Sequence, residues 1–497
     1  MAFDLLVIGG GPAGVVAALR ARELGAEVAL VERGELGGTC TNDGCVPTRV
    51  LAKAARLLRE SEHFDEYGLV GQPPRVDLVQ LLGRTREIIA AIHDQKQLLA
   101  HLQRAGVTVY AHAGHARFIE PHAIEMASGQ RLEAQKFIIC AGGHARRLTF
   151  PGSEYALTHK DVWTLSSLPR SMAIVGGSAT GCQLGSIFDA FGVDVAILER
   201  GGQILDREDD LVSQFMGDAF RQRGIYVVEG ISGIERIERS AAGLDLYYGQ
   251  DSQVRSLAVE AVVIAAGWPG NADRLNLPAA RVKAERGYIV VDDYLQTSAP
   301  HIFAAGDING RMMLVQSASH EARIAAQNAV LGLGQPNAHH VVPHGGFTDP
   351  EYASVGLTEA AARAAEPEVL VATVPYAHLD RAIIDERTAG FCKLVVSRET
   401  HRILGAHIVG EQALEAIQLV AAAMAADMWV EQLAEMELAY PTYTAIVGLA
   451  ARQAVRDLGV MPLAAEWRAL GQADGAEWER SALAIPSNHP HNPQYGG

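Results

Sequence analysis

The 497-residue sequence has no long apolar runs, little cysteine and no excess of positive charge. No stretch reaches the roughly 20 apolar residues that a membrane-spanning helix needs. The N-terminus enters a strand at once, without the charged and apolar regions of a signal peptide, so we expect a cytoplasmic protein that does not engage a membrane. The net charge of −16 disfavours nucleic-acid binding, because phosphate recognition needs a basic surface.

The five cysteines are too few, in a chain of this length, for a disulfide-stabilised scaffold. Cys140, Cys182 and Cys392 stand singly in apolar or mixed stretches, which predicts that they pack in the interior. Cys40 and Cys45 differ, since they are five residues apart and close to a glycine-rich loop. At about 150 residues per domain the length predicts roughly three domains, and a hydrophobic content of 48% provides for substantial cores.

Glycine-rich loops occur twice, each between an apolar strand and a helix. Residues 4–14 give the first strand and loop, with a helix from near Pro12, and the next strand ends in Glu32. Residues 172–199 repeat this plan, with Glu199 as the acid. Each acid lies 23 residues after the first glycine of its loop. A repeat with the same offset is far more specific than either loop alone.

Loops of this kind bind dinucleotides for physical reasons. The glycines permit a tight turn and a close backbone approach, the helix N-terminus stabilises the pyrophosphate, and the acid accepts hydrogen bonds from ribose hydroxyls. The sequence therefore predicts an α/β fold with two Rossmann-like dinucleotide-binding domains. The predicted binding residues are Gly9, Gly11, Gly14 and Glu32 in the first loop, and Gly176, Gly181 and Glu199 in the second.

The segment from Gly37 to Pro47 carries Cys40 and Cys45 directly after the first acid. Two cysteines at a helix start can close a disulfide across a tightly wound loop, and the helix dipole with nearby cations lowers the thiol pKa. The pair is therefore predicted to be redox-active, with a purely structural disulfide as the alternative. A zinc site would need two further ligands at matching spacing, which the sequence does not offer, so we expect no bound metal.

With these features the sequence resembles the pyridine nucleotide–disulfide oxidoreductases over about residues 4–460. The resemblance includes residues 302–307, similar to the second FAD motif of that family, and residues 347–359, similar to the opening of its dimerisation domain. The segments 390–395 and 403–410 are equally typical. The resemblance implies an oxidoreductase with FAD and NADH as cofactors, a small-molecule substrate, and a homodimer whose active site is shared between subunits.

The resemblance also implies an order of domains. Residues 1–150 would form the first part of an FAD-binding domain, which carries the redox-active cysteines, and residues 271–342 its second part. An NAD(P)-binding domain would occupy residues 151–270, and an α+β dimerisation domain residues 343–465. The polar tail over 466–497 is predicted to be flexible, with metal binding through His489 and His491 as the alternative.

By position, the resemblance implies roles for single residues. Cys45 would lie against the flavin as the charge-transfer thiol, and Cys40 would meet the substrate as the interchange thiol. Asp307 would bind the ribityl chain. Glu199 favours NADH, because a 2′-phosphate beside it would be repelled, although the adjacent Arg200 leaves NADPH open. Further cofactor contacts are expected at Thr39, Gly142 and Gly267.

The C-terminal signature departs from the family pattern. That pattern has a histidine, which reaches across from the partner subunit to shuttle protons for the interchange thiol, and a glutamate that orients it. Here Tyr440 and Ala445 stand in their places, while Pro441 and Thr442 keep the register. Because the reference pKa of tyrosine is about 10, Tyr440 is a poor base at neutral pH, and ordinary disulfide reduction is predicted to be weak.

Three lesser departures lie close to the same chemistry. Arg49 stands where the family has a lysine, and Gln183 where it has the partnering glutamate, which predicts extra positive charge beside the flavin. Ser178 replaces the middle glycine of the second loop. Asp43, between the cysteines, is predicted to be a solvated loop residue, with tuning of thiolate pKa as the alternative.

The leading functional hypothesis is an NAD(P)H-dependent flavin reductase that passes electrons through Cys40 and Cys45 to a disulfide, persulfide or similar soft electrophile. Tyr440 and Arg49 are the other candidate catalytic residues. One alternative is direct reduction of a quinone or metal ion by the flavin. Another is carbanion chemistry as in 2-ketopropyl-coenzyme M oxidoreductase/carboxylase, which also lacks the histidine–glutamate pair. The last is a non-catalytic redox sensor.

Overall fold

The computed structural model describes residues 3–241, 243–332, 334–338 and 341–459. The chain divides into two compact units: unit 1 contains residues 1–205 and 220–339, and unit 2 contains residues 206–219 and 340–497. The finer domain boundaries expected from the sequence remain predictions, and the predicted tail over 466–497 lies outside the described residues. No helix within the described ranges combines the length and hydropathy needed to cross a bilayer.

Both units contain helices and strands. The helices are α1 (Pro12–Glu23), α2 (Gly38–Asn42), α3 (Cys45–Ser61), α4 (Leu78–Lys96), α5 (Leu98–Arg104), α6 (His159–Val162), α7 (Ala179–Ala190), α8 (Asp210–Gln222), α9 (Val315–Leu331), α10 (Glu359–Ala365), α11 (Asp380–Ile384), α12 (Ala413–Ala425), α13 (Val430–Ala434) and α14 (Ala445–Leu458). The strands are β1 (Phe3–Ile8), β2 (Val28–Val31), β3 (Thr108–Tyr110), β4 (Arg117–Glu120), β5 (Ala123–Glu125), β6 (Arg131–Ile139), β7 (Leu157–Thr158), β8 (Ser171–Val175), β9 (Asp194–Leu198), β10 (Tyr226–Val228), β11 (Gly233–Ser240), β12 (Gly243–Gln250), β13 (Gln253–Val259), β14 (Ala261–Ile264), β15 (Ala284–Glu285), β16 (Tyr288–Ile289), β17 (Ile302–Ala304), β18 (His344–Gly346), β19 (Tyr352–Gly356), β20 (Val369–Pro375), β21 (Phe391–Ser397) and β22 (Ile403–Val409).

The first sheet of unit 1 has the strand order β3-β2-β1-β6-β5-β4, and β17 also pairs with β6. The strands β3, β2, β1, β6 and β17 run parallel. β1 reads FDLLVI and its last four residues are buried, as expected of a parallel strand that is covered on both faces. The carboxyl ends of these parallel strands therefore form one edge of the sheet, where parallel α/β sheets bind their ligands.

The second sheet of unit 1 repeats this architecture. Its order is β10-β9-β8-β14-β7, and all of its neighbouring strands pair in parallel. α7 follows β8 and packs against β8 and β9, just as α1 follows β1 and packs against β1 and β2. A three-stranded antiparallel sheet, β11-β12-β13, adjoins it in sequence. The two Rossmann-like arrangements predicted from the repeated loops are thus present.

Unit 2 is built on an antiparallel sheet in the order β18-β19-β22-β21-β20. The helices α12 and α14 pack on it and close its apolar core. The interior strand β21 is buried along its whole length. It includes Lys393, whose Nζ lies 2.7 Å from Asp209 Oδ1 and 2.7 Å from Glu359 Oε2. The ammonium is thereby neutralised in the interior, as a buried charge requires.

Candidate functional site

The first glycine loop joins β1 to α1 in a turn that side chains would block. Gly9 has a φ of +107°, and a Cβ atom at Gly14 would lie 1.7 Å from the Gly9 carbonyl oxygen. Gly11 is the N-cap of α1, which no side chain caps. A Cβ at Gly11 would meet only Gly38 Cα, at 3.6 Å. The N-terminal N–H groups of α1 therefore remain available for a phosphate.

Glu32 closes this loop from the end of β2. Its carboxylate accepts hydrogen bonds from the backbone N–H of Gly10, at 2.6 Å, and of Gly34, at 2.8 Å. Each carboxylate oxygen can accept more than one bond, so capacity is left for ribose hydroxyls. The backbone on both sides of Glu32 therefore fixes the position of its carboxylate.

The second glycine loop reproduces the same geometry. Gly176 has a φ of +112°, and a Cβ atom at Gly181 would lie 1.8 Å from the Gly176 carbonyl oxygen. Glu199 accepts from the backbone N–H of Gly177 and of Gly201, at 2.6 Å each. Ser178 is the N-cap of α7, is exposed, and makes no capping bond with its side chain. The serine thus leaves the helix N-terminus open, as Gly11 does in the first loop.

The segment that carries the cysteines packs against the first glycine loop. Gly37 and Gly38 have φ values of +98° and +61°, and a Cβ atom at Gly38 would lie 2.8 Å from Gly11 Cα. This close approach places α2, with Thr39 and Cys40, beside the N-terminus of α1. Cys45 is the first residue of α3. The cysteines therefore lie on two helices, separated by a break at residues 43 and 44, instead of sharing one helix start.

The two cysteines carry free thiols that hydrogen-bond each other. The bond from Cys40 lowers the pKa of Cys45 to about 7, against the opposing effect of burial. The same bond, together with burial and the charge of Cys45, raises the pKa of Cys40. The pair thus favours a thiolate on Cys45 and a protonated Cys40, which is the chemistry of a thiol pair ready for exchange.

Asp307 follows β17 and lies close enough to act electrostatically on both cysteines. Burial raises the pKa of its carboxyl, and a hydrogen bond from Trp268 Nε1, at 3.0 Å, opposes that shift. The Trp268 ring lies 5.3 Å from the ring of the buried His159. The structure therefore brings Asp307, which the resemblance to the second FAD motif singled out, close to the cysteine pair predicted from the segment 37–47.

Gly142 and Gly267 follow the ends of β6 and β14, and both have positive φ, of +64° and +118°. The Gly142 carbonyl accepts from the N–H of Asn271, at 2.9 Å, and the Gly267 carbonyl from the N–H of Arg146, at 3.1 Å. These two bonds join the segment that follows β6 to the segment that follows β14, where the chain passes between the two Rossmann-like sheets. The roles of both glycines in cofactor binding remain predictions.

Asp43 is anchored, so the expectation of a solvated loop residue was wrong. Its Oδ2 forms an ion pair with Lys160 Nζ, and its backbone carbonyl accepts a hydrogen bond from Trp163 Nε1 at 2.9 Å. Both partners belong to α6 or the residue after it. The helix α6 therefore fixes the middle of the segment between the cysteines.

Arg49 and Gln183 lie on α3 and α7, which pack together. Arg49 is exposed, and Gln183 Nε2 donates to the Ala179 carbonyl at 2.9 Å, within its own helix. The same pair of helices is joined by an ion pair between Arg59 and Asp189, at 3.4 Å. A catalytic role for Arg49 remains a prediction.

Tyr440 belongs to unit 2, where 64% of its surface is exposed. Its hydroxyl donates a hydrogen bond to Asp380 Oδ2, and this bond raises the pKa of the tyrosine. At neutral pH Tyr440 is thus ionised even less than a free tyrosine, and its role in catalysis stays a prediction. Asp380 itself is at the start of α11, 60 residues away in sequence, and no local pattern indicates it.

The sequence patterns did not indicate Trp268 or Lys160. They also did not single out His93 and Lys96, which lie in the last turn of α4. Trp268 follows the strand β14 in the segment Gly267–Gly270, and its place beside a predicted cofactor glycine was the available signal. For Lys160 there was no signal, because its partner Asp43 is 117 residues distant.

Comparisons with known proteins agree with this geometry. Residues 3–322 match the family described as pyridine nucleotide-disulphide oxidoreductase, and residues 342–451 match the dimerisation domain of that family. A dihydrolipoyl dehydrogenase from Zymomonas mobilis is 33% identical over 451 residues, which cover 88% of this chain and 95% of the relative. A mercuric reductase from Lysinibacillus sphaericus is 31% identical over 459 residues, which cover 92% of this chain and 83% of the relative.

Solved structures agree as well. The HOCl-induced flavoprotein disulfide reductase RclA from Escherichia coli aligns with a TM-score of 0.80 at 27% identity, covering 90% of this chain and 99% of that one. Its Cu(II) complex aligns with the same TM-score and identity over 91% of this chain. The predicted fold class, with its two dinucleotide-binding domains and its dimerisation domain, is confirmed. The chain is an FAD-dependent oxidoreductase linked to NAD(P)H, and it belongs to the pyridine nucleotide-disulphide oxidoreductase family.

Proposed function

We propose that the enzyme passes electrons from NADH through FAD to Cys40 and Cys45, and from there to a soft electrophile, in the first place a disulfide or persulfide. The observation that carries the proposal is a pair of free cysteines, Cys40 in α2 and Cys45 at the start of the adjoining α3, on a segment packed against the first glycine loop. The match to a dimerisation domain supports a homodimer. We further propose that the homodimer is cytoplasmic and that Tyr440 of the partner subunit faces the substrate.

The chemistry balances at the thiol pair. FAD, when bound, accepts a hydride from NADH and delivers two electrons to the disulfide form of the pair. Cys45 then holds the thiolate, and Cys40 attacks one sulfur of a disulfide substrate, expelling the other. Attack of Cys45 on the mixed disulfide closes the Cys40–Cys45 bond and releases the second substrate sulfur. One product thiol takes the Cys40 proton, and the other takes a proton from solvent, which replaces the proton that Cys45 released when it ionised.

NADH is the proposed donor because of Glu199. Its carboxylate is fixed by two backbone N–H groups at the end of β9, where a 2′-phosphate would meet its charge. The exposed Arg200 is the only adjacent feature that favours NADPH in this loop. The ratio of kcat/KM for NADH and NADPH measures the preference directly, and a ratio in favour of NADPH would contradict it.

A thiophilic metal ion is the second candidate substrate, because the chain offers no good base at Tyr440. A metal ion displaces thiol protons itself, so it needs less help from a base than a disulfide does. Two Cu(II) ions would oxidise the dithiol to the disulfide, giving two Cu(I) ions and two protons. The similarity to a mercuric reductase and to a reductase solved as a Cu(II) complex supports this candidate.

The test is an anaerobic titration of the FAD-loaded enzyme with NADH, followed by a screen of acceptors. We expect NADH to bleach the flavin and give the long-wavelength absorbance of a thiolate beside it. Glutathione disulfide, lipoamide, a polysulfide, Cu(II) and a quinone are then compared in the wild type, Cys40→Ser and Cys45→Ser. Loss of disulfide and metal turnover in both variants supports the thiol route. Full turnover in both would assign the activity to direct reduction by the flavin.

The role of the tyrosine is tested by Tyr440→His, with Tyr440→Phe as the control that removes the hydroxyl without adding a base. General acid–base assistance is worth about 10²–10⁴-fold, so the histidine should raise lipoamide or glutathione-disulfide reduction by at least about tenfold. Tyr440→Phe should not raise it. No change in any thiol activity with histidine would count against placing Tyr440 at the substrate.

A further inference from the structure

The C-terminal turn of α4 contacts the short helix that carries Cys40. His93 Nε2 donates a hydrogen bond to Asn42 Oδ1 at 2.7 Å, and Asn42 is the last residue of α2. Asn42 Nδ2 in turn donates to the Leu36 carbonyl at 3.3 Å. A Cβ atom at Gly37 would come within 3.5 Å of His93 Cε1. His93 therefore braces the helix two residues from Cys40.

Lys96 lies one turn further along α4, three residues after His93, and so on the same side of that helix. Its ammonium is near enough to Cys40 to lower the pKa of that thiol, whereas the bond to Cys45, burial and the charge of Asp307 all raise it. Within the described ranges no carboxylate forms an ion pair with Lys96. Its charge is therefore not neutralised by a neighbouring acid.

Cys40 needs such support because the thiol pair shares its protons unequally. Cys45 takes the first negative charge, and Cys40 keeps its proton. Cys40 must nevertheless become a thiolate to attack a substrate. In the family pattern a histidine of the partner subunit serves that need, whereas Tyr440 hydrogen-bonds to Asp380 and cannot.

We propose that the last turn of α4 supports the Cys40 thiolate from within the same subunit, with Lys96 supplying the positive charge and His93 holding α2 in position through Asn42. The inference rests on the interchange role proposed for Cys40. His93 is a positioning residue, because it acts through Asn42. Besides Lys96, the charged or titratable groups that act on Cys40 are Cys45 and Asp307.

The experiment follows the alkylation of Cys40 by iodoacetamide in the FAD-loaded, full-length Cys45→Ser protein, in which Cys40 titrates without its partner thiol. Peptide mass spectrometry locates the label, and the rate is measured across the pH range that brackets thiol ionisation. Lys96→Met should raise the midpoint by about 0.5 to 1 pH unit, so that the rate below the midpoint falls about threefold to tenfold. Lys96→Arg should keep the wild-type midpoint.

The matched control is Lys53→Met, which removes an exposed lysine from α3 in the same unit and should leave the midpoint unchanged. His93→Leu should raise the midpoint, and His93→Gln, which retains an N–H donor for Asn42, should restore it. An unchanged midpoint in Lys96→Met, or an equal shift in Lys53→Met, would overturn the inference.

Alkylation requires neither NADH nor an acceptor. The result with Lys96 therefore stays readable if turnover survives Cys40→Ser and the proposed function fails. In the opposite case, turnover depends on Cys40 but the alkylation midpoint of Cys40 does not change in Lys96→Met. That result would contradict only the role proposed for α4.

Discussion

The Cys40 thiol donates a hydrogen bond to the Cys45 sulfur, and this bond lowers the pKa of Cys45 to about 7. The lowered pKa means that the Cys45 thiolate is favoured above about neutral pH and is lost as the pH falls below it. Desolvation acts in the opposite direction on Cys45, so the influence of Cys40 outweighs it.

Cys40→Ala should therefore raise the pKa of Cys45, because the thiolate loses its donor while burial remains. We expect the midpoint for alkylation of Cys45 to move upward from about 7, by about one pH unit or more. Cys40→Ser keeps a hydroxyl donor and should shift the midpoint less. Equal midpoints in Cys40→Ala and the wild type would show that the bond does not set the pKa.

Gly181→Ala should impair binding of the nicotinamide nucleotide and spare FAD. The new Cβ would lie 1.8 Å from the Gly176 carbonyl oxygen, so α7 must move away from the end of β8. We expect kcat/KM for NADH to fall on the order of tenfold or more, with full FAD content. Gly202→Ala is the control, since no heavy atom lies within 4 Å of its Cβ position. Loss of FAD along with NADH would contradict the independence of the two loops.

Trp268→Phe should weaken the binding of FAD. The buried Asp307 carboxyl would lose the indole N–H that opposes the rise in its pKa. A hydrogen bond to a charged group is worth about 1.5–3 kcal/mol, so the Kd of FAD for the apoprotein should rise roughly tenfold to a hundredfold. Quenching of flavin fluorescence measures it. The exposed Trp429→Phe is the control, and an equal Kd in both variants would rule out support of Asp307 by Trp268.

Lys393→Met should destabilise unit 2 strongly. It leaves Asp209, itself buried, without the cation 2.7 Å away, and breaking a buried pair from one side costs about 3–5 kcal/mol. Breaking the exposed Arg84–Glu87 pair, at 3.0 Å, by Glu87→Ala should cost less than about 1 kcal/mol. Urea unfolding followed by circular dichroism compares the two, and similar losses would contradict the buried role of Lys393.

The ionisation of Asp209 makes the stability of unit 2 depend on pH, and stability falls on acidification. Burial opposes ionisation of Asp209, but hydrogen bonds from Lys393 and from the N–H of Glu359 outweigh it and lower the pKa. Because the folded pKa is depressed, this stabilisation is present above the usual carboxyl range and is lost as the pH falls through the folded pKa.

Local sequence patterns predicted the parts of the site that depend on local geometry. The offset between each glycine loop and its acid placed Glu32 and Glu199 at strand ends, and both carboxylates hold their own loops in the structure. Contacts across large sequence separations could not be predicted in this way. The ion pair of Lys160 with Asp43 and the hydrogen bond of Tyr440 to Asp380 depend on how distant segments pack. A short sequence motif does not predict such packing.

The solvated position expected for Asp43 was wrong for the same reason. A polar residue between two cysteines is typical of an exposed loop, and only the packing of α6 turns it into an anchored residue. The pair His93 and Lys96 could have been noticed as two basic residues in the last turn of a helix, but their target, α2, is more than 50 residues away.

The carboxylates of Glu32 and Glu199 each accept hydrogen bonds from one backbone N–H of the preceding glycine loop and one of the turn that follows the acid. Substitutions that change the nucleotide preference of one loop therefore leave the hydrogen bonds of the other loop's acid intact. The two nucleotide-binding loops are therefore separable: a substitution in the second loop that changes the preference for the nicotinamide donor need not disturb the acid that holds the first loop.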